Sequence, residues 1–307
     1  MRFWVDAWDP SYGTSADPGD DSDAVTDLDV ELPVAGWRAV PAGPVTVPVA
    51  VHFVDGVRRI DAHVWIDGPD GAVAGLAASY AAGVVSCRPG EARADVVDVR
   101  RGLFTSAPGA TGVRAPLVDY PVHRTAAGDE LVLSLALQRA LAATEVDCAA
   151  RARTDRDDLL VVDGPLLAPR GQLTRVLGLI KTHRRPYLEG EPHALVGRLR
   201  PGERTPVFRI GTRWARCCWY LRLPGRPGAP WAGVVRVECP DRPTAEVVEL
   251  AALSQAVLPR FASTEHKDQR APQNLYPIAG LERLLRRRLG DRLLLDRALR
   301  RAAATRA

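Results

Sequence analysis

The 307-residue sequence predicts an α/β fold, in which helices flank a mixed sheet made of an antiparallel meander and parallel strands. Val-rich and alternating segments that begin at Val45 are typical of strands. A long segment over 128–153 is rich in Ala and Leu and contains no Pro, which favours a helix. The apolar run over 159–162 lies between acidic residues, a pattern typical of a buried parallel strand.

Composition divides the chain into two parts. Residues 1–44 are rich in Asp, Gly, Pro and Ser, so we predict an irregular acidic N-terminal extension. Residues 45–307 are expected to form one domain with basic C-terminal helices. The N-terminus has no basic start followed by an apolar stretch, and no apolar run approaches the roughly 20 residues that cross a bilayer. We therefore expect a cytoplasmic protein without a membrane partner.

The meander is predicted from three segments. The run VTVPVAVHFVDG, residues 45–56, is strand-like and is expected to end at Asp55-Gly56. The run IDAHVWID, residues 60–67, alternates apolar with polar side chains and predicts a half-buried strand. The sequence GPDG then predicts a turn, and residues 72–88 can supply the third strand.

The later elements follow in a regular order. Asp129 suits the N-cap of the helix over 128–153. The strand within DDLLVVDGPLL, residues 157–167, is expected to end at Asp163-Gly164. The remaining predictions are a short helix or strand over 171–185, strands over 207–223 and 231–240, a helix over 244–262, a loop over 263–274 and helices from Tyr276.

Three antiparallel strands, a helix and then a parallel strand form the opening of an RNase H-like fold, in which carboxylates from these elements meet in one pocket. Here the elements offer Asp55, Glu145 and Asp163, while Glu130 is a less favoured alternative to Glu145 because it lies at the helix start. Mn²⁺ and Mg²⁺ prefer carboxylate oxygens and can bring a phosphate and a hydroxide together. Asp-Gly is also a common turn dipeptide, so the order of the two pairs matters more than either pair alone.

Charge is unevenly distributed around a net value of +4. Nine acidic residues and a single Arg precede residue 32, whereas nine Arg and two Asp follow residue 282. This asymmetry indicates a nucleic-acid partner at the basic end or a contact between the two ends, although a solvated helix face would give the same pattern. The candidate nucleic-acid contacts are Arg58, Arg59, Lys181, Arg286, Arg287 and Arg288.

Five scattered cysteines contain no CxxC pair, which argues against a cysteine zinc site and favours reduced, mostly buried thiols. Only two lysines occur, Lys181 and Lys267, and every other basic side chain except His is Arg. A lysine that persists in an Arg-rich chain is a slightly stronger functional candidate than usual.

The sequence resembles the NurA family of nucleases, which act with a HerA-type hexameric ATPase in DNA end processing. The matching segments follow the family order from Val45 onward: FVDGVRR at 53–59, the helix around Glu145, LLVVDGPLL at 159–167, GLIKTHR at 178–184, YLRL at 220–223, VRVECP at 235–240 and NLYPIAGLE at 274–282. The resemblance implies an RNase H-like fold, Mn²⁺-dependent cleavage of DNA (or Mg²⁺ in its place), a homodimer with a central channel, and docking on the ATPase ring.

Carried over to this chain, the resemblance makes Asp55, Glu145 and Asp163 metal ligands. It makes Tyr276 an active-site residue and Lys181 a cation that could hold a phosphate. The sequence departs from the family in two places. Val57 stands where a Ser is usual, and Leu284 and Leu285 stand where a His is usual, although His266 could take that role in space.

Three functions remain open from the sequence. The leading one is a divalent-metal-dependent DNA nuclease, a single-strand endonuclease and/or 5′–3′ exonuclease, acting in DNA end processing and repair with a HerA-like translocase. The second is a catalytically weakened subunit that binds DNA and docks on a hexameric ATPase. The third is a nucleic-acid-binding module built on the Arg-rich C-terminal helix, which would not need the acidic residues because carboxylates near phosphates are unfavourable without a metal.

Overall fold

A computed structural model describes residues 24–68, 71–115, 118–152, 155–166, 174–183, 186–211, 214–226 and 228–304. The chain divides into two compact units. The first unit comprises residues 1–53, 86–92 and 153–279, and the second comprises residues 54–85, 93–152 and 280–307. The division at residue 45 that composition predicts stays a prediction.

The described strands are β1 (Val25–Asp27), β2 (Val51–Gly68), β3 (Gly71–Arg88), β4 (Glu91–Thr105), β5 (Val113–Ala115), β6 (Val118–Tyr120), β7 (Val122–Arg124), β8 (Leu159–Asp163), β9 (Val176–Ile180), β10 (Phe208–Gly211), β11 (Ala215–Arg222) and β12 (Val234–Pro240). The described α-helices are α1 (Glu130–Ala152), α2 (Gly190–Arg198), α3 (Thr244–Val257), α4 (Tyr276–Arg288) and α5 (Arg292–Ala304), with 3-10 turns at Val34–Gly36 and Leu258–Phe261. The predicted α/β class with a mixed sheet is therefore confirmed.

The first unit contains strands in the order β1-β10-β11-β12-β9-β8, and the opening residues of β2 lie beside β8. β8 and β9 are parallel, and the other neighbours from β1 to β9 are antiparallel. Trp37 packs against a buried cluster that includes Phe208 and Tyr220, and Glu31 forms an ion pair with Arg204 at 2.6 Å. The described part of the predicted acidic extension, residues 24–44, thus packs into this unit.

The second unit contains strands in the order β2-β3-β4-β7. Two residues separate β2 from β3 and β3 from β4, and so short a connection permits only antiparallel pairing. An antiparallel meander is thus present, but its strands are β2, β3 and β4 and not the three predicted segments, and β7 is added parallel to β4. Leu295 and Leu299 of α5 pack with Leu103 of β4 and with Tyr120 of β6, which pairs with β5 in a separate two-stranded sheet. The turn predicted at GPDG includes residues 69–70, which lie outside the described residues.

The predicted strand boundaries near Asp55 are wrong. β2 is one strand of 18 residues that covers both the first and the second predicted strands, so Asp55-Gly56 lies within a strand and not at its end. Within the strand, Gly56 faces the side chain of Glu145 on α1, a residue far from it in the chain. β4 was not predicted from the sequence, and β10 and β11 were predicted as one strand, although β10 ends at Gly211 and β11 begins at Ala215.

The predictions for α1 and for the cysteines are confirmed. Asp129 caps α1 by accepting a hydrogen bond from Val132 N at 3.0 Å, and the buried side chains of the helix recur at helical spacing through Leu133, Leu137 and Leu141. All five cysteines are buried, and none forms a disulfide. Among the described residues, no helix has the length and apolar character needed to cross a membrane.

Candidate active site

Glu145 of α1 lies against β2 at Gly56, the residue that follows Asp55. A Cβ built on Gly56 would lie 2.5 Å from Glu145 Oε1 and 2.7 Å from Leu141 Cδ1. The glycine therefore lets this carboxylate lie against the strand backbone. Asp55 is buried, and its Oδ1 accepts a hydrogen bond from Gly56 N at 2.7 Å. In the second unit, Asp55 thus lies within β2, and the Glu145 side chain lies against the backbone of the next residue of that strand.

Asp163 is the last residue of β8, as predicted. Gly164 has a φ of 100°, a conformation that glycine adopts without strain, and its N–H donates to Leu179 O at 2.9 Å. The Asp163 side chain is 17% exposed and lies 2.7 Å from Lys181 Nζ. The turn after β8 therefore presents a carboxylate that already lies against a cation.

Lys181 follows β9 and is buried, with its ammonium group between two acceptors. Besides Asp163, Nζ donates to Asn274 Oδ1 at 2.9 Å. Asn274 Nδ2 in turn donates to Asp268 Oδ2 at 2.7 Å. Asn274 was not among the predicted site residues, although it is the first residue of the segment NLYPIAGLE. Its role becomes visible only when the fold brings residues 181 and 274 together.

Tyr276 begins α4 and is partly exposed. Its hydroxyl forms a 2.6 Å hydrogen bond with Thr264 Oγ1, and Lys267 Nζ lies 5.5 Å from the centre of its ring. Gln273, three residues earlier, donates to Val234 O at 3.0 Å. Tyr276, at the start of α4, therefore lies on the same segment of the first unit as Asn274, the residue that binds Lys181.

The two arginines after Asp55 have contacts within the second unit. Arg58 donates to Ser134 Oγ at 3.2 Å, and burial lowers the pKa of its guanidinium. Arg59 forms an ion pair with Asp61 at 2.8 Å and donates to Gly290 O at 2.8 Å, beyond the C-terminus of α4. Arg59 therefore has a structural role, and the contacts of both arginines with nucleic acid stay predictions.

The basic residues of α4 lie on its exposed side. Arg286, Arg287 and Arg288 are exposed, and Arg286 forms an ion pair with Glu282 at 2.8 Å, one helical turn earlier. The opposite side is apolar, since a Cβ on Gly83 of β3 would lie 3.0 Å from Leu281 Cδ1 and 3.3 Å from Leu285 Cδ2.

The position where the family resemblance implies a His holds a leucine that packs within the second unit. Leu284 is half-buried, and its neighbour Leu285 is fully buried. His266, the proposed substitute, is exposed. Neither leucine can act as a metal ligand.

A further charged residue that the sequence analysis missed is Glu238, on β12. It is fully buried, and its Oε1 accepts a hydrogen bond from Leu166 N at 2.6 Å, three residues after Asp163. The available signal was the segment VRVECP, in which Glu238 is the single acidic residue of a Val-rich strand.

The predicted ligands have the type of donor atom, carboxylate oxygen, that a hard divalent cation binds. The three predicted ligands are all carboxylates, the donors that Mn²⁺ and Mg²⁺ prefer, and the bare position at Gly56 forms a cradle for one of them. In the part of the chain that the structure describes, no three His, Cys, Asp or Glu side chains form a group that could hold a metal ion. The predicted ligands therefore match a divalent cation in their type of donor atom and in the contacts that hold each carboxylate, and not in their arrangement as a group.

Two comparisons with known proteins found similar chains. A family model described as the NurA domain matches residues 129–287. Among solved structures, the crystal structure of the NurA nuclease from Sulfolobus solfataricus is similar, with 12% identity, a TM-score of 0.46 and 81% of each chain covered. A search of curated proteins found no match.

Proposed function

This chain belongs to the NurA family, whose model matches more than half of its residues, and on that premise we propose that it is a divalent-metal-dependent deoxyribonuclease. The proposed activity is that of a single-strand endonuclease and/or a 5′–3′ exonuclease. The observation that carries the proposal is the contact at Gly56, where a Cβ would lie 2.5 Å from Glu145 Oε1. Because Gly56 has no side chain, the Glu145 carboxylate can lie in the space that the Cβ of any other residue would fill.

We assign the metal to Asp55, Glu145 and Asp163. Bound there, Mn²⁺ or Mg²⁺ would activate a water and stabilise the leaving oxygen of a phosphodiester. The protein's own part is to hold the carboxylates and to supply a cation. Lys181 Nζ, which lies 2.7 Å from the Asp163 carboxylate, can donate to a phosphate oxygen.

Tyr276 supplies a further hydroxyl for the proposed site. Its hydrogen bond to Thr264 orients that hydroxyl, and its partial exposure leaves the group accessible to a substrate. We assign it the task of orienting the DNA backbone by hydrogen bonding.

We further propose that the fold is RNase H-like. In support, β2, β3 and β4 are consecutive neighbours in the second unit, and α1 follows them in the chain. In the first unit, β8 lies beside the opening residues of β2, and β9 lies beyond β8. The succession of three antiparallel strands, a helix and a further strand is the one that the sequence predicts, although the three strands are not the predicted segments.

The proposal extends to the partners that the resemblance implies. These are DNA, a HerA-type hexameric ATPase and a second copy of this chain, acting in the cytoplasm in DNA end processing and repair. The exposed arginines of α4 support the DNA part, because guanidinium groups bind phosphates. Light scattering on the purified protein tests the homodimer, and a monomer mass at micromolar concentration would contradict it.

A second candidate is a catalytically weakened subunit that binds DNA and docks on the ATPase. The observation that favours it is Leu284, which stands where the resemblance implies a His and cannot bind a metal. The nuclease hypothesis is stronger because three carboxylates and Lys181 are retained with local structural support.

The test uses labelled single-stranded and duplex DNA with Mn²⁺, Mg²⁺ or EDTA. Wild-type protein is compared with Asp55→Ala, Glu145→Gln and Asp163→Ala. Glu191→Ala serves as the control, because Glu191 is an exposed carboxylate of α2 that pairs with Arg198 on the same helix. We expect cleavage that EDTA abolishes, that each site variant lowers at least about 100-fold, and that Glu191→Ala leaves unchanged. Cleavage by both Asp variants would refute the site, and normal DNA binding without cleavage in either metal would favour the weakened subunit.

A further inference from the structure

Glu238 is a fully buried carboxylate on β12 whose side chain reaches across a neighbouring strand. Its register partner on β9 is Gly178, and the partner of Gly178 on β8 is Val162. These three residues therefore form a row that leads from β12 to the end of β8. The Glu238 side chain follows this row toward the turn after β8.

Gly178 makes this reach possible. A Cβ at that position would lie 3.0 Å from Glu238 Cγ and 3.0 Å from Gly164 O. The absence of a side chain therefore lets Glu238 and the turn after β8 approach each other over β9. The backbone of Gly178 does not have the left-handed conformation that would itself require glycine.

The Glu238 side chain ends on the backbone of the turn. Oε1 accepts a hydrogen bond from Leu166 N at 2.6 Å. Oε2 lies 3.2 Å from Arg216 Nε and 3.8 Å from an Arg236 guanidinium nitrogen. An isolated buried carboxylate is strongly unfavourable, so these two guanidinium groups are what stabilise a charge at this position.

The bond to Leu166 completes the restraint of the residues that follow Asp163. Gly164 N donates to Leu179 O at 2.9 Å, and Pro165 has no N–H. Every backbone N–H from Gly164 to Leu166 is therefore bound by a neighbouring strand or its side chain. The carboxylate of Asp163 projects from the start of this restrained segment.

We propose that Glu238 is a positioning residue, which holds the turn after β8 so that Asp163 is presented to the metal. This inference rests on the proposed nuclease function, but its local part, the restraint of Leu166 N by Glu238, can be measured without it. A side chain that fixes a metal ligand from behind typically changes metal affinity or activity on the order of 10- to 100-fold.

Two substitutions test separately the length of the Glu238 side chain and its negative charge. Glu238→Asp keeps the charge beside both arginines but removes one methylene, so the carboxylate no longer reaches Leu166 N. Glu238→Gln keeps the reach and an acceptor oxygen but removes the charge. The matched control is Glu31→Asp, because Glu31 also accepts from a backbone N–H, that of Val207 at 2.7 Å, and also pairs with a buried arginine.

Two readouts follow the variants. Hydrogen–deuterium exchange is followed in overlapping peptides that begin within β8, and the difference between those that end at Pro165 and at Leu166 reports on the Leu166 amide. The Mn²⁺ concentration that gives half-maximal cleavage reports on metal binding, separately from the maximal rate and from the KM for DNA. The unfolding temperature of each variant measures the loss of stability, which is expected for substitutions at both Glu238 and Glu31.

We expect Glu238→Asp to speed exchange at Leu166 and to raise the half-maximal Mn²⁺ concentration on the order of 10-fold or more. Glu31→Asp should lower the unfolding temperature without either change, and Glu238→Gln should retain slow exchange at Leu166. Wild-type exchange in Glu238→Asp, or a Mn²⁺ requirement no different from that of Glu31→Asp, would overturn the proposal. If the wild-type protein cleaves no DNA, the proposed function fails, and the exchange data alone then decide whether Glu238 holds the turn.

Discussion

Gly56→Ala adds one methyl group at the point where β2 meets Glu145, and leaves every predicted ligand in the chain. The new Cβ would lie 2.5 Å from Glu145 Oε1 and 2.7 Å from Leu141 Cδ1, whereas ordinary contact begins near 3.4 Å. The carboxylate must therefore withdraw by about 0.9 Å. Overpacking of this kind costs about 1–3 kcal/mol of unfolding free energy. A catalytic group misplaced by about 1 Å can lower a rate on the order of 100-fold.

The assay for Gly56→Ala combines urea unfolding with initial rates of Mn²⁺-dependent DNA cleavage. Gly280→Ala in α4 is the control, because a Cβ there meets nothing within 4 Å. We expect that control to match or slightly exceed the wild-type stability, since alanine is the better helix former. Activity and stability of Gly56→Ala both equal to those of wild type would refute the reasoning.

A double-mutant cycle identifies the group that the new methyl displaces. In a Glu145→Ala background the clash with the carboxylate is absent and only the contact with Leu141 remains. The destabilisation by Gly56→Ala should then shrink by about 0.5–3 kcal/mol, the usual coupling energy of residues in contact. Equal destabilisation in both backgrounds would show that Leu141, and not Glu145, occupies the space.

Three further outcomes are expected. Lys181→Met removes the ammonium group that lies 2.7 Å from Asp163 and should destabilise the protein by roughly 3 kcal/mol, and an unchanged urea midpoint would contradict this. Replacing Arg286, Arg287 and Arg288 with Gln should weaken DNA binding and flatten its logarithmic salt dependence by roughly 0.7–0.9 for each phosphate that the protein no longer neutralises, so an unchanged slope would place the DNA elsewhere. Burial lowers the pKa of His123 from its ordinary value of 6.5, so the folded state binds fewer protons than the unfolded state, and stability should be fully present above about pH 6.5 and fall as the pH drops below it. His123→Leu should lose this dependence in urea unfolding at a series of pH values, and equal pH slopes for the two proteins would contradict the assignment.

The elements that the sequence predicted well depend on local signals. The helix α1 has its own N-cap, Asp129, and a regular apolar stripe, so neighbouring residues alone determine it. The strand β8 is short, wholly apolar before Asp163 and followed by Gly164, whose positive φ stops the strand. The C-terminal helices begin at Tyr276, as predicted, and α4 combines the buried Leu281 and Leu285 with exposed arginines.

The elements that the sequence predicted poorly depend on distant residues. Asp55-Gly56 has the composition of a turn, yet β2 continues through it, and Glu145, 89 residues later, lies in the space beside Gly56. Asn274 and Glu238 were missed for the same reason. Each is an ordinary polar residue in sequence, and each gains a role only from a partner, Lys181 or Leu166, that the fold brings to it.

Three glycines surround the acidic residues of the candidate site, each for a different steric reason. They are Gly56, Gly164 and Gly178. The first leaves space for Glu145, the second adopts a positive φ after Asp163, and the third lets Glu238 reach the turn. A subunit that only docks and binds DNA needs none of these features, because an apolar strand packs against a helix without a carboxylate between them, and burying a charge is unfavourable. The structure nevertheless contains all three, so we favour the nuclease over the weakened subunit. Substitution of the glycines is the sharper test of that preference, since it moves the carboxylates without removing any of them.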